Sequence, residues 1–280
     1  MPTSISILAP AKTNLSLEVV GKRTDGFHDI RTLMVRLSLA DRLDFKKLAH
    51  GLTKLTCSDP KLEVDGNNLI IKAIRILEQE LNESFPVSVH LEKQIPVAAG
   101  LGGGSSDAAA TLLGLNQLFE LDLSTEMLAS FAASIGSDVP FFVYQQSCLC
   151  TGRGEIVTPT EKIPTLPILL VKPGFGISAA WAYQHYQSSI EHDAYHYSTQ
   201  VVNDLKIVND LERPVFQKFP VLGSMKTWLL DQPEIRTALL SGSGSTVFAI
   251  LEQSDNINAF EEKVVERFGP STWTWSGHTL

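Results

Sequence analysis

The run Pro96-Val97-Ala98-Ala99-Gly100-Leu101-Gly102-Gly103-Gly104-Ser105-Ser106-Asp107-Ala108-Ala109 places four glycines directly ahead of an alanine-rich, helix-forming segment. Glycine has no Cβ, so such a loop can take positive φ and aim successive backbone N–H groups at one point. The free N–H groups and positive end of the following helix then favour an anion without any basic side chain. A nucleotide polyphosphate is the guest this arrangement implies. Val87, Val89 and Leu91 alternate just before the run, which argues for an ordered strand, loop and helix rather than a flexible linker.

Two other glycine-rich signatures do not fit. No Gly-Lys-Ser or Gly-Lys-Thr lies in the run or just after it, so it is not a P-loop. A dinucleotide fingerprint starting at Gly100-x-Gly102 would put Ser105 at its third small position and Glu120 at its acidic one, but Glu120 falls in a helical pattern.

With 280 residues, 44% of them hydrophobic and 19% charged, the chain can form one large domain or two ordinary ones. Its net charge of −8, without a basic run, argues against nucleic acid or an anionic membrane as partner, so any anion must be held locally. Cys57, Cys148 and Cys150 are an odd set without CxxC spacing, which suggests neither a disulfide framework nor a zinc site and points to a reducing cytoplasm. Cys148 and Cys150 alternate in a strand-like stretch and read as buried small apolar side chains. The segment Met1 to Ala11 lacks a basic region followed by a long apolar one, and no apolar run approaches the span of a bilayer. Neither secretion nor membrane insertion is expected.

Short strands are expected at Ile5 to Ala9, Asn14 to Val20, Thr32 to Leu39 and Arg42 to Lys46. Leu69 to Leu81 carries apolar residues at helical spacing after a turn-forming Asp65-Gly66-Asn67-Asn68. A helix from Asp107 presents Ala108, Leu112, Leu115 and Leu118 or Phe119 on one face, and Ser124 with Thr125 starts another that runs to about Ile135. Gly, Pro and Thr gather between Gly152 and Pro167, ahead of the apolar strand Ile168 to Val171, and this places a boundary between domains at 1–158 and 159–280. Helices are expected at Ala179 to His185, Val201 to Asn209, Val215 to Leu230 and Ala259 to Phe268, with a strand at Thr246 to Leu251. The mixture is an α+β architecture. The apolar helices of the second half leave two uses open, covering their own sheet or pairing with another chain as a homodimer.

Three further features carry possible chemistry. Lys12, in Ala9-Pro10-Ala11-Lys12-Thr13-Asn14, has small and apolar neighbours that weaken its reading as a solvated surface cation. Asp138, in Gly136-Ser137-Asp138-Val139-Pro140-Phe141-Phe142, precedes an apolar segment read as a strand. A base held at a strand edge and a turn-forming aspartate before Pro140 both stay open. Leu240-Ser241-Gly242-Ser243-Gly244-Ser245-Thr246 is either a strand-entry turn or a second backbone wall closing on phosphates or substrate.

Taken together and in this order, Lys12 in Pro-Ala-Lys-Thr-Asn-Leu, the Pro96 to Ala109 loop and Ser241 to Ser245 resemble the three motifs of the galactokinase, homoserine, mevalonate and phosphomevalonate kinase superfamily. Within it, Gly26-Phe27-His28, Asn68-Leu69-Ile70, Gly136 to Pro140, Pro173-Gly174-Phe175-Gly176-Ile177 and Asn209-Asp210-Leu211-Glu212 resemble the 4-diphosphocytidyl-2-C-methyl-D-erythritol kinase family of the non-mevalonate isoprenoid pathway. The likeness runs nearly end to end and is weakest in Gln187 to Gln200 and after Phe268.

The resemblance implies a two-lobed small-molecule kinase fold, with an N-terminal ribosomal-protein-S5-like α/β domain and a C-terminal ferredoxin-like α+β domain that closes on substrate. It implies ATP and Mg²⁺ as cofactors and a substrate with a cytidine diphosphate moiety, phosphorylated on its 2-hydroxyl. Asp138 is then the general base and Lys12 the group that stabilises charge on the γ-phosphoryl. Pro96, Val97, Ala98, Ala99, Gly100, Leu101, Gly102, Gly103, Gly104, Ser105 and Ser106 hold the nucleotide, the two serines binding phosphate oxygens or Mg²⁺, while Asn68 and Lys93 line the adenine side. Asp107 serves as a favourable charge at the helix start. Asn14, Gly242 and Gly244 face substrate, Phe27 stacks on cytosine and His28 reads the base edge. The family often has tyrosine where Phe27 stands, which removes a hydroxyl but keeps the π-face. Ala179 stands where threonine is usual and brings no polar contact.

Overall fold

The computed structural model describes residues 2–252 and 257–280. The chain opens on a long hairpin, β1 (Ser4–Lys22) against β2 (His28–Lys47). These are two continuous strands and not the four short ones expected. Register shifts at Pro10/Lys12, Asn14/Ser16 and Val19/Gly21 absorb the irregular residues as bulges instead of breaking the ladder. Arg23 braces the connecting turn by pairing with Asp25 and Asp29, and the Phe27 amide donates to Asp25 Oδ1 at 3.1 Å.

Next come β3 (Lys54–Cys57) and α1 (Leu69–Leu81), the latter with the bounds expected. Asn68 caps α1, its Oδ1 accepting from the Ile70 amide at 3.0 Å. β4 (Val87–Glu92) leads into the glycine run, and α2 (Gly103–Phe119) starts at Gly103 rather than Asp107. Asp107 is therefore not a charge at the helix start but a buried side chain within the helix. α3 (Thr125–Ile135) begins at its Ser124 cap, as the sequence suggests. The apolar segment after Asp138 is a helix, α4 (Val139–Tyr144), and not a strand. Pro140 in its first turn suits a helix start, where no N–H partner is needed. β5 (Cys148–Thr151) and β6 (Ile156–Pro159) follow, with Cys148 and Cys150 fully buried.

β7 (Pro167–Lys172) opens a second sheet and α5 (Ala179–His185) follows it. The expected helix at 201–209 is instead a hairpin of β8 (Gln200–Val202) and β9 (Leu205–Asn209). Asn203 and Asp204 both take positive φ between strands rich in Val and Ile, so turn chemistry and β-branching prevail over an apparent helical spacing. The expected helix 215–230 is two, α6 (Glu212–Lys218) and α7 (Pro220–Leu230), because Pro220 cannot continue the first. The chain ends with β10 (Ile235–Leu240), β11 (Val247–Leu251), α8 (Ile257–Phe268) and β12 (Trp273–His278).

The first sheet runs β3-β4-β2-β1-β9-β8, with β5 pairing to β2 and β6 to β5. β8 and β9 thus join the first sheet across a parallel contact of β9 with Ser16 and Leu17. The second sheet runs β10-β11-β7-β12, all antiparallel. Among its own strands that is the order second, third, first, fourth, as in a ferredoxin-like lobe. Leu222, Met225 and Leu229 of α7 are buried in one core with Val247 and Ala249 of this sheet, so α7 covers its own lobe. Ala11, Leu15, Val35 and Leu37 share another core with Ile168, Leu170 and Phe248 and seal the lobes together. Among the described residues no helix is long and apolar enough to cross a membrane.

Candidate active site

The glycine loop is shaped by left-handed residues at Ala98 (φ 52°), Gly100 (φ 79°) and Gly102 (φ 69°). At Gly100 a side chain would overlap the Ser241 carbonyl oxygen, and at Gly102 a Cβ would come within 2.9 Å of Lys12 Cγ. Close approach as well as conformation therefore demands glycine. The Lys12 amide donates to Leu101 O at 2.9 Å, and Thr13 Oγ1 donates to Ser241 Oγ at 3.0 Å. Ser241 Oγ in turn donates to Gly100 O at 3.1 Å, and the Thr246 amide donates to Ala99 O at 3.2 Å. Three segments far apart in sequence are thus laced into one wall.

That wall separates two clefts. The larger, about 850 Å³, is lined by Lys12, Asn14, Phe27, His28, Asp138, Arg153, Tyr183 and Gly242 among others. The smaller, about 570 Å³, is lined by Asn68, Lys93, and Pro96 through Ser105. Ala98, Gly100, Gly102 and Ser105 line both. An elongated polyanion crossing the glycine loop can therefore keep its body in one cleft and present its end to the other.

At the junction, Lys12 Nζ donates to Asn14 Oδ1 at 2.8 Å and lies 3.4 Å from Asp138 Oδ2. Asn14 Nδ2 donates to Thr32 Oγ1 at 2.7 Å, and Thr32 Oγ1 donates to Ser16 O at 2.6 Å. This chain fixes Lys12, which is buried, while the Asp138 side chain stays 34% exposed to the cleft. Asp138 is placed by the turn into α4 and makes no capping bond of its own. A cation and a carboxylate therefore face the same space from opposite elements, an arrangement suited to neutralising a phosphate and taking a proton.

The far wall of the larger cleft is aromatic. Phe27 is half-exposed, and the Arg153 guanidinium lies over its ring, 4.9 Å from the centroid. His28 is buried, stacks on Tyr183 with centroids 5.7 Å apart, and leaves Nε2 without a protein partner. Burial, aided by Lys22, holds the His28 imidazole below its ordinary value, so it is neutral near pH 7. Ala179 and Ala180 add only apolar wall.

Residues 68–146 match the GHMP kinases N terminal domain, and residues 202–270 match the GHMP kinases C terminal domain. The 4-diphosphocytidyl-2-C-methyl-D-erythritol kinase of Methylacidiphilum infernorum is 39% identical over 272 residues, covering 96% of this chain and 94% of that one. The chain belongs to the 4-diphosphocytidyl-2-C-methyl-D-erythritol kinase family. A crystal structure of 4-(cytidine 5'-diphospho)-2C-methyl-D-erythritol kinase superposes with a TM-score of 0.80 at 31% identity, over 98% of this chain and 99% of that one. Homoserine kinase from Cytophaga hutchinsonii, at 16% identity and a TM-score of 0.71 over 99% of this chain and 95% of that one, shares the fold. This is accordingly an ATP-dependent small-molecule kinase with the two-lobed fold of its superfamily.

In this kinase the floor of the glycine loop is an ion cluster that no local sequence signal announces. Lys93 Nζ bonds to Asp41 and lies 3.1 Å from Asp107 Oδ2, with all three side chains buried. Asp41 Oδ1 also accepts from the Gln94 and Ile95 amides at 2.6 and 2.8 Å, tying β2 to the start of the loop. Burial pulls the Lys93 ammonium down, but Asp107 and Asp41 more than offset it and hold it above its ordinary value. Burial pushes the Asp107 carboxyl up to about 7, Lys93 opposing and Asp41 reinforcing the shift. Lys93 and Asn68 line the smaller cleft with their polar atoms already engaged, Asn68 Nδ2 donating to Glu63 O at 2.8 Å. Gly244 and Ser106 line neither cleft, and Ser106 faces a cavity behind α2 with Arg36 and Phe142. Arg153 and Tyr183 were not anticipated. Arg153 sits between two loop glycines, and Tyr183 is one of several aromatics in a short helix, so neither stands out in the sequence.

Proposed function

We propose that this kinase transfers the γ-phosphoryl group of ATP to the 2-hydroxyl of 4-diphosphocytidyl-2-C-methyl-D-erythritol, in the cytoplasm. The observation that carries the reading is the shared glycine wall. Residues of one loop line a nucleotide-sized cleft on one side, and on the other a cleft that holds both Lys12 and Asp138.

In this reading the adenosine end of ATP occupies the smaller cleft and its phosphates lie along the loop amides and the start of α2. Lys12 meets charge developing on the transferred group, and Asp138 Oδ2 accepts the proton leaving the attacking hydroxyl. Asn14 and Gly242, which crowd Lys12, bound the space available to the acceptor. Among the described residues no three His, Cys, Asp or Glu side chains cluster as a ready metal site, whereas Ser105 lines both clefts. That donor set fits Mg²⁺ held mainly by phosphate oxygens, with Ser105 as the protein ligand. With the ion held there, triphosphate charge would be neutralised.

The aromatic wall supports a cytidine-bearing acceptor. Phe27 offers a ring face for the base, and the neutral His28 lines the same cleft, its buried Nε2 without a protein partner. Arg153 and Lys22 add positive charge beside them, suited to the diphosphate. The test is coupled ADP release with Mg²⁺-ATP and this acceptor, beside homoserine, mevalonate and a no-acceptor control. ADP release dependent on the cytidylyl compound alone is expected. Phosphorylation of mevalonate or homoserine in its place would overturn the substrate.

A further inference from the structure

Asn209-Asp210-Leu211-Glu212, the turn between β9 and α6, lines neither cleft, yet its side chains reach two opposite walls of the larger one. Asn209 is buried, and its Nδ2 donates to both Leu240 O at 2.8 Å and Gly242 O at 2.7 Å. Its Oδ1 accepts from the Leu211 amide at 2.9 Å, which fixes the amide's orientation. Glu212 supports the same place. It accepts from the Leu240 amide at 3.0 Å and pairs with the buried Lys226 at 2.6 Å. The segment so held carries Gly242, where a Cβ would lie 3.3 Å from both Lys12 Nζ and Asn14 Oδ1. The Asn209 clamp therefore ends one residue contact away from the reacting groups.

Asp210 points the other way. Its Oδ2 accepts from the Val19 amide at 2.8 Å and from Tyr186 Oη at 3.2 Å. The Tyr186 ring meets His28 edge-on, with centroids 6.4 Å apart, and Arg213 covers the tyrosine at 4.6 Å. Tyr186 is thus pinned at its hydroxyl and presses its ring on the histidine of the aromatic wall.

We infer that Asn209 and Asp210 are positioning residues with separable effects, Asn209 setting the Gly242 loop against Lys12 and Asn14, and Asp210 setting Tyr186 against His28. The 241–245 loop is largely buried but has only small side chains to fix it, so its register depends on such bonds. Asn209→Asp replaces a donor to two carbonyls by an acceptor facing them, and displaces the loop. Asp210→Ala frees Tyr186 without touching the loop. The substrate-dependent half of this inference rests on the function proposed above.

The experiment pairs steady-state kinetics with amide hydrogen exchange on the whole protein. Asn209→Asp lowers kcat roughly tenfold or more, with the acceptor KM changed by no more than about threefold. It also speeds exchange at residues 241–245 while β4 keeps its protection. Asp210→Ala raises the acceptor KM about fivefold with kcat nearly unchanged, Asp210→Asn restores it by keeping an acceptor oxygen, and Tyr186→Phe reproduces the loss. Equal shifts of kcat and KM in both variants, or unchanged exchange at 241–245 in Asn209→Asp, would overturn the inference. If Asn209→Asp does not fold, Asn209→Ser carries the same test, because its hydroxyl can serve only one of the two carbonyls. The exchange measurement needs no substrate, so a wild-type enzyme silent toward the acceptor would refute the proposed reaction while leaving the Asn209 arm to be decided on its own.

Discussion

Lys12 and Asp138 stand 3.4 Å apart, Nζ to Oδ2, joining the middle of β1 to the start of α4 at the mouth of the larger cleft. The lysine is buried and tethered by Asn14, whereas the carboxylate is open to whatever enters. The asymmetry suits a fixed cation and an accessible proton acceptor. Asp138→Asn keeps the shape and removes the acceptor. We expect kcat to fall by about 10²–10⁴-fold, with ATP affinity by calorimetry nearly unchanged. Equal turnover in the two proteins would remove Asp138 from the mechanism. Lys12→Ala should weaken both phosphate binding and turnover.

The Arg153 guanidinium lies over the Phe27 ring, 4.9 Å from its centroid, and gives that aromatic face a charged partner. Phe27→Ala removes the stacking face and should raise the acceptor KM by a factor corresponding to about 1–3 kcal/mol, while the ATP KM stays put. Phe27→Tyr should be close to neutral. Arg153→Ala should weaken acceptor binding too, and added salt should narrow the gap between it and the parent. No change in the acceptor KM for Phe27→Ala would place the base elsewhere.

The buried Asp107 carboxyl, pushed up to about 7, ties stability to pH. In the unfolded chain it ionises near its ordinary 3.8, so between the two values the folded protein keeps a proton that the unfolded chain has released. Its contribution to stability therefore falls as pH rises through that window. Asp107→Asn cannot ionise and keeps an amide for Asp41. Its Tm relative to the parent should rise between about pH 4 and about pH 7 and level off above. A difference that does not vary with pH would show the carboxylate ionised throughout.

Gly100→Ala tests the interlock of the two loops. With φ at 79° and the Ser241 carbonyl against it, alanine brings both backbone strain and a clash. We expect a stability loss of about 1–3 kcal/mol from the backbone alone, seen as a lower Tm, and a raised ATP KM. Unchanged nucleotide binding would show that the loop tolerates displacement.

How much could be read beforehand depended on how local the cause was. Asn68 and Ser124 start α1 and α3 where expected because a cap needs only its own neighbours. The same local reasoning misread 201–209, where Val201, Leu205 and Val208 fit a helical spacing but belong to strands turned by Asn203 and Asp204. It misread the segment after Asp138 as well, since an apolar run of that length fits either state and Pro140 decided it. The motifs around Lys12, the glycine loop and Ser241 were legible through their joint order, and the structure brings them together. Gly244 and Ser106 share those motifs but face away from both clefts, because neighbouring residues of a loop or helix point in different directions. The Asp41–Lys93–Asp107 cluster was invisible, since it joins β2, the end of β4 and α2 through space alone.

The hydrogen bonding of β9 to Ser16 and Leu17 makes the order of synthesis matter. β1 is made before β9, so it waits for a neighbour that leaves the ribosome only after β7 and α5 have emerged. Until then the stretch of β1 at Ser16 and Leu17 is an open edge, the kind of surface that recruits strands from other chains. The nascent first lobe is therefore exposed to mispairing until residue 209 arrives, and a fragment ending before β8 should need a chaperone or a supplied hairpin to stay monodisperse.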